Sequence, residues 1–166
     1  MQTKRIITQR STSVTLPAML CVCAVLLGRV AGGADPAATG AARDVVVRQM
    51  TNLSKWHTDN MAAQRVFDDA SPGNQATTGP LPRFRGLVES THYVVLIDNR
   101  GWQVGRAVVR DDYAIVLVTL IDGDNQLRLF RFYLSRVDTT TGRQWMTDTV
   151  LEVTQRVAQA PIGESS

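Results

Sequence analysis

The chain has 166 residues, of which 44% are hydrophobic and 20% charged, and its 18 basic and 15 acidic side chains give a formal net charge of +3. That length and apolar share describe one ordinary domain able to bury a core without disulfides or metal, which excludes a disordered or collagen-like chain. Net positive charge raises a nucleic-acid reading, but its placement excludes one, because Lys4, Arg5, Arg10 and Arg29 all precede the first acidic residue, Asp35, and the 14 remaining basic residues face 15 acidic ones.

Residues 1–34 read as a signal peptide. They have the basic start just named, an apolar run VTLPAMLCVCAVLLG from Val14 to Gly28, and small residues in VAGGAD that place cleavage between Gly32 and Ala34. The run is shorter than the roughly 20 residues that span a bilayer as a helix, so membrane contact is expected through this segment alone, with an uncleaved anchor as the alternative. The expected destination is the periplasm or the exterior. An organelle lumen is the alternative, since Ser, Thr and Arg without acids also suit a transit peptide. Cys21 and Cys23 are the chain's two cysteines, and both lie inside the run. Leu20 and Val22 precede them, where a lipidation signal wants small residues. A chain without its leader has no thiol, which rules out disulfides, thiolate catalysis and cysteine metal sites together.

Residues 35–42, DPAATGAA, read as a loose linker, 43–154 as a single domain and 155–166 as a polar tail. In RDVVVRQMTNLSKW, Val46, Met50, Leu53 and Trp56 fall on one helical stripe. After the capping types Thr58 and Asp59, a second helix is predicted over about Asn60–Ala70, stopped by Ser71, Pro72 and Gly73. NQATTGP reads as a polar loop, and LPRFRGLVES as a short third helix with Phe84, Leu87 and Val88 on one side. Beyond His92 the pattern turns extended: Tyr93–Ile97, Trp102–Arg110 and Tyr113–Ile121, the last apolar on both alternating sets. In Gln126–Val137, Leu127 and Leu129 occupy one phase and Phe130, Phe132 and Leu134 the other, which predicts a bulge within that strand. In the last strand, Trp145, Thr147, Thr149, Leu151 and Val153 share a dry face, with Asp148 and Glu152 on the wet one.

Helices first and hairpins after predict an α+β domain, cone-shaped, with N-terminal helices packed on a curved antiparallel sheet. The helix ending in Phe67-Asp68-Asp69-Ala70-Ser71-Pro72, the set Phe84, Leu87, Val88 leading to Tyr93, and a last strand opening Gln144-Trp145 carry a resemblance over about Asp44–Val153. The chain resembles the nuclear-transport-factor-two-like superfamily, and within it an uncharacterised family of small exported proteins known as a domain of unknown function. The resemblance implies a pocket between helices and sheet; the superfamily includes small isomerases, dehydratases and many non-catalytic binding or assembly modules, so fold does not fix function.

Asp68 and Asp69 are neighbours about 100° apart on a helix and cannot both face one proton or metal while it persists. They are expected to pair structurally, with Arg83 or Arg85 as partner. His57 and His92 fit no metal spacing, and DGDN at Asp122–Asn125 reads as a hairpin turn rather than a calcium loop. No metal and no cofactor is expected. Phe67, Phe84, Leu87, Tyr93, Phe132 and Trp145 are the candidate lining of a small-ligand pocket, with a filled core as the plainer reading. Tyr93 stands out because a buried hydroxyl must find a partner.

Helices can cover one face of the doubly apolar strand Tyr113–Ile121, so a homodimer through the sheet face is expected. Two functional readings follow. The first is an exported, non-catalytic module binding a small apolar ligand or an envelope partner. The second is an isomerase- or dehydratase-like enzyme with His92, Tyr93 or Asp68 as acid and base, which requires two of these groups to meet inside the cone.

Overall fold

The computed structural model of the protein describes residues 35–90 and 92–153. The segments read as a signal peptide and as a polar tail, with Cys21 and Cys23, lie outside the described residues. Four helices come first, α1 (Pro36–Leu53), α2 (Ala62–Asp68), α3 (Pro72–Thr78) and α4 (Leu81–Val88). Five strands follow: β1 (Gly101–Val104), β2 (Val108–Arg110), β3 (Tyr113–Ile121), β4 (Leu127–Thr139) and β5 (Gly142–Glu152). The helices pack against one face of a curved antiparallel sheet in which β3, β4 and β5 run in order and β1 and β2 share the other edge of β3. The architecture is α+β.

The amphipathic stripe of α1 buries Val46, Met50 and Leu53, with Trp56 just beyond the helix. The helix starts earlier than the stripe implied, so 35–42 is not a linker. Asp35 Oδ1 accepts the Ala37 N–H at 3.0 Å, and Pro36 at the first helical position loses no hydrogen bond there. The same chemistry corrects the loop expected after α2. Ser71 and Pro72 stop α2 but also start α3, because Ser71 Oγ accepts the Asn74 N–H at 3.3 Å.

Tyr93–Ile97 is not a strand. Val94–Leu96 form a 3-10 turn, and the Leu96, Ile97 and Asp98 amides donate within the segment to Tyr93 and Val94 carbonyls. An apolar run this short carries no period that separates strand from buried turn. The segment Trp102–Arg110 is broken into β1 and β2. Val104 pairs with Val118 and Val108 with Ile115, so three residues oppose two. Gly105 sits at that bulge, its N–H on the Leu117 carbonyl at 2.8 Å, where a Cβ would lie 3.2 Å from the same oxygen.

The bulge expected within β4 lies instead on β5. Tyr133 pairs with Thr149 and Leu134 with Thr147, leaving Asp148 as the extra residue. β4 keeps strict alternation: Phe130, Phe132 and Leu134 are buried, while Leu127 is 66% exposed on the opposite face. The dry face of β5 therefore continues from Trp145 and Thr147 to Val150, and Leu151 turns outward at 49% exposure. The core joins α1 to the inner residues of β3 (Ala114, Val116, Val118, Leu120) and of β4.

Asp122 closes the hairpin between β3 and β4. Its carboxylate accepts the Gln126 N–H at 2.8 Å, the Asp124 N–H at 3.0 Å and Arg128 Nε at 2.9 Å. The Gln126 amide first, and then the Arg128 guanidinium, hold this carboxyl below the usual carboxylate range. Because its folded pKa is depressed, the stabilisation is present above the unfolded value of about 3.9 and is lost as pH falls through the folded one. Asp122→Asn is expected to be less stable than the wild type at neutral pH, with the gap closing as the pH is lowered below about 4. Urea titrations across pH check this, and a gap constant over the whole range would contradict it.

Candidate functional site

The candidate site is a cavity of about 120 Å³ between the helices and the inner sheet face. From α1 come Gln49 and Leu53, from α2 Val66, and from α3 Asn74 and Thr78. Phe84, Leu87 and Val88 of α4 and Tyr93 and Leu96 around the 3-10 turn form one wall, and Phe132 of β4 with Thr147, Thr149 and Val150 of β5 form the other. Ala70 completes the lining. No Asp, Glu, Lys, Arg or His is among these residues.

Four of the six expected lining residues, Phe84, Leu87, Tyr93 and Phe132, lie on the cavity wall. Phe67 does not; it packs behind the wall, its ring 5.3 Å from that of Phe84. Trp145 is also outside the lining, buried in the core with the Arg136 guanidinium 4.9 Å above its ring. The Tyr93 hydroxyl donates to the Val150 carbonyl at 3.2 Å, tying the 3-10 turn to β5.

His92 and Asp68 are exposed and take no part in the cavity. Asp68 accepts from Gln64 Nε2 at 2.7 Å. Asp69 has the structural role expected of it, with a different partner: Arg48, not Arg83 or Arg85, grips its carboxylate through Nε and Nη2 at 2.6–3.1 Å. That bidentate bond raises the Arg48 pKa further above its already high value. Of His92, Tyr93 and Asp68, therefore, Tyr93 alone reaches the cavity, and the three do not converge. His57 pairs on the surface with Asp98 at 2.9 Å. Among the described residues no group of three or more His, Cys, Asp or Glu side chains is placed to hold a metal ion.

Sequence reasoning missed the polar part of the site. Thr147 is 1% exposed, and its Oγ1 donates to Gln49 Oε1 at 2.8 Å. Its backbone N–H donates to the Asp69 carbonyl, and its carbonyl accepts from the Ser71 N–H, both at 2.9 Å. Asn74 Nδ2 donates to the same carbonyl at 3.0 Å. A detectable signal existed at Gln49, a polar residue between Val46, Met50 and Leu53 on the buried stripe of α1.

The chain matches no family model, no curated protein and no solved structure.

Thr147→Val keeps the shape but leaves the buried Gln49 carbonyl without a donor, so it is expected to cost about 1–3 kcal/mol. Thr147→Ser, which retains the hydroxyl, is expected to cost less. The midpoints of urea unfolding compare the two, and equal stability of the valine variant and the wild type would show that this bond contributes nothing.

Proposed function

We propose that the protein is an exported, non-catalytic binding module of the nuclear-transport-factor-two-like kind that holds a small apolar molecule between its helices and sheet. The supporting observation is the cavity, whose lining is mainly aromatic and aliphatic and whose polar groups, on Gln49, Asn74, Thr78, Tyr93, Thr147 and Thr149, are all uncharged. Among the described residues no pair of acid and base side chains meets inside it, which supports binding over turnover. Support for export comes from the composition of the leader. Among the described residues no helix is long and apolar enough to cross a membrane.

The same proposal includes pairing with a second copy through the outer sheet face. Tyr113, Ile115 and Leu117 of β3 stand exposed there with Val108, Leu127 and Leu151, six large apolar side chains on one surface. Water is a poor neighbour for such a patch. Charge complementarity favours a second copy as the occupant. Arg131 projects from this face, bonded to the Tyr133 hydroxyl at 3.0 Å, and Asp148 reaches it through Ser135 at 2.9 Å. Neither has an oppositely charged partner among the described residues, and a two-fold axis would bring each onto the other's copy.

In a thermal-shift panel of small apolar compounds, at least one is expected to raise the wild-type melting temperature by about 5–10 °C at saturation. Val66→Phe, which fills the cavity, is expected to respond to none. A wild type indifferent to the whole panel would sink the binding reading. For the interface, light scattering is expected to give a dimer for the wild type and a folded monomer for Leu117→Arg; a wild type monomeric at about 100 μM would remove the second copy from the proposal.

A further inference from the structure

We infer that the cavity selects uncharged molecules carrying a carbonyl group, and that Gln49 Nε2 is the donor that recognises it. The inference rests on the binding reading above and adds the chemistry of the ligand. Gln49 is 3% exposed and lies on the cavity wall. Its Oε1 is taken by the Thr147 hydroxyl at 2.8 Å, which fixes the amide and leaves the –NH₂ end with no partner among the described residues. That nitrogen is not one of the side-chain atoms sealed away from solvent without a partner, so it remains within reach of a molecule in the cavity.

A hydrocarbon filling the cavity would cut this donor off from water at a cost of about 1–3 kcal/mol, and a ligand that brings a carbonyl oxygen to it avoids that cost. The other walls decide the rest of the molecule. Leu53, Val66, Phe84, Val88, Leu96 and Phe132 present hydrocarbon, so the body of the ligand is apolar. An ion would find no counter-charge among the lining residues, and its desolvation would go unanswered. Cavities of about 150 Å³ take a molecule the size of benzene, so a space of about 120 Å³ admits a ring of that order or a short branched chain. A small ketone, aldehyde, ester or amide meets all these conditions; a carboxylate or phosphate does not.

The test uses cyclohexanone and its hydrocarbon isostere methylenecyclohexane, with Kd measured by ligand-observed NMR on the wild type and on Gln49→Met, a variant of similar length with no donor. The preference for the ketone over the hydrocarbon is expected to fall about five- to tenfold in the variant, the worth of one hydrogen bond of about 1 kcal/mol or slightly more. An independent reading needs no variant: the carbonyl stretch of cyclohexanone bound to the wild type is expected at lower wavenumber than in an alkane solvent. Binding of both compounds with an unchanged ratio, or an alkane-like stretch, overturns the Gln49 assignment and leaves the apolar cavity standing. Binding of neither to the wild type overturns both.

Discussion

The free edge of β5 at Thr147 is where the helical layer and the sheet become one body. On one side Thr147 belongs to the antiparallel ladder with Leu134, and on the other its backbone forms a parallel bridge with Ala70 between α2 and α3. Its hydroxyl reaches α1 through Gln49 and its carbonyl also takes Asn74 of α3. An edge strand normally leaves such groups to water or to another chain. Here they are buried at 1% exposure, and each would cost about 1–3 kcal/mol if its partner moved away. The corner between α2 and α3 therefore cannot slide along the strand, and the Arg48–Asp69 ion pair holds the same corner to α1 from outside.

A hydrogen-bonded junction in the floor of an apolar space also explains why the space is not simply filled. Leucine or phenylalanine side chains closing over Thr147 and Gln49 would bury a fixed amide against hydrocarbon, and that burial is unfavourable unless a partner arrives with them. The cavity lies between this polar floor and walls of Phe84, Val88 and Phe132. Next to the junction, Asp148 is the extra residue that changes the phase of β5, sending Val150 inward and Leu151 outward. One residue thus shapes both surfaces, the inner one facing the cavity and the outer apolar one.

What the sequence revealed follows from how local each signal is. The stripe on α1 and the Phe84–Val88 face of α4 are written at spacings of three and four, and both were legible. Ser71-Pro72 was half legible, because one dipeptide ends a helix and caps the next, and residue type alone does not say which it does. Tyr93–Ile97 was illegible for want of a period. Leu127 and Leu129 suggested a bulge in β4, yet they are outward-facing residues of a regular strand, and apolar side chains on a second sheet face imitate a change of phase. Gln49 stood out as polar on a buried stripe and Thr147 on a dry strand face. Their bond joins residues 98 apart in the chain, a separation no spacing rule spans.

The most direct measurement is amide hydrogen exchange at Thr147 and Ser71, whose N–H groups donate to Asp69 and to Thr147 across the junction. If this junction unites helices and sheet, both amides open only with global unfolding and exchange as slowly as those at the centre of β3. Exchange at the rate of a fraying edge strand, with the β3 amides still protected, would show that the helical corner detaches by itself and that the cavity floor is not fixed.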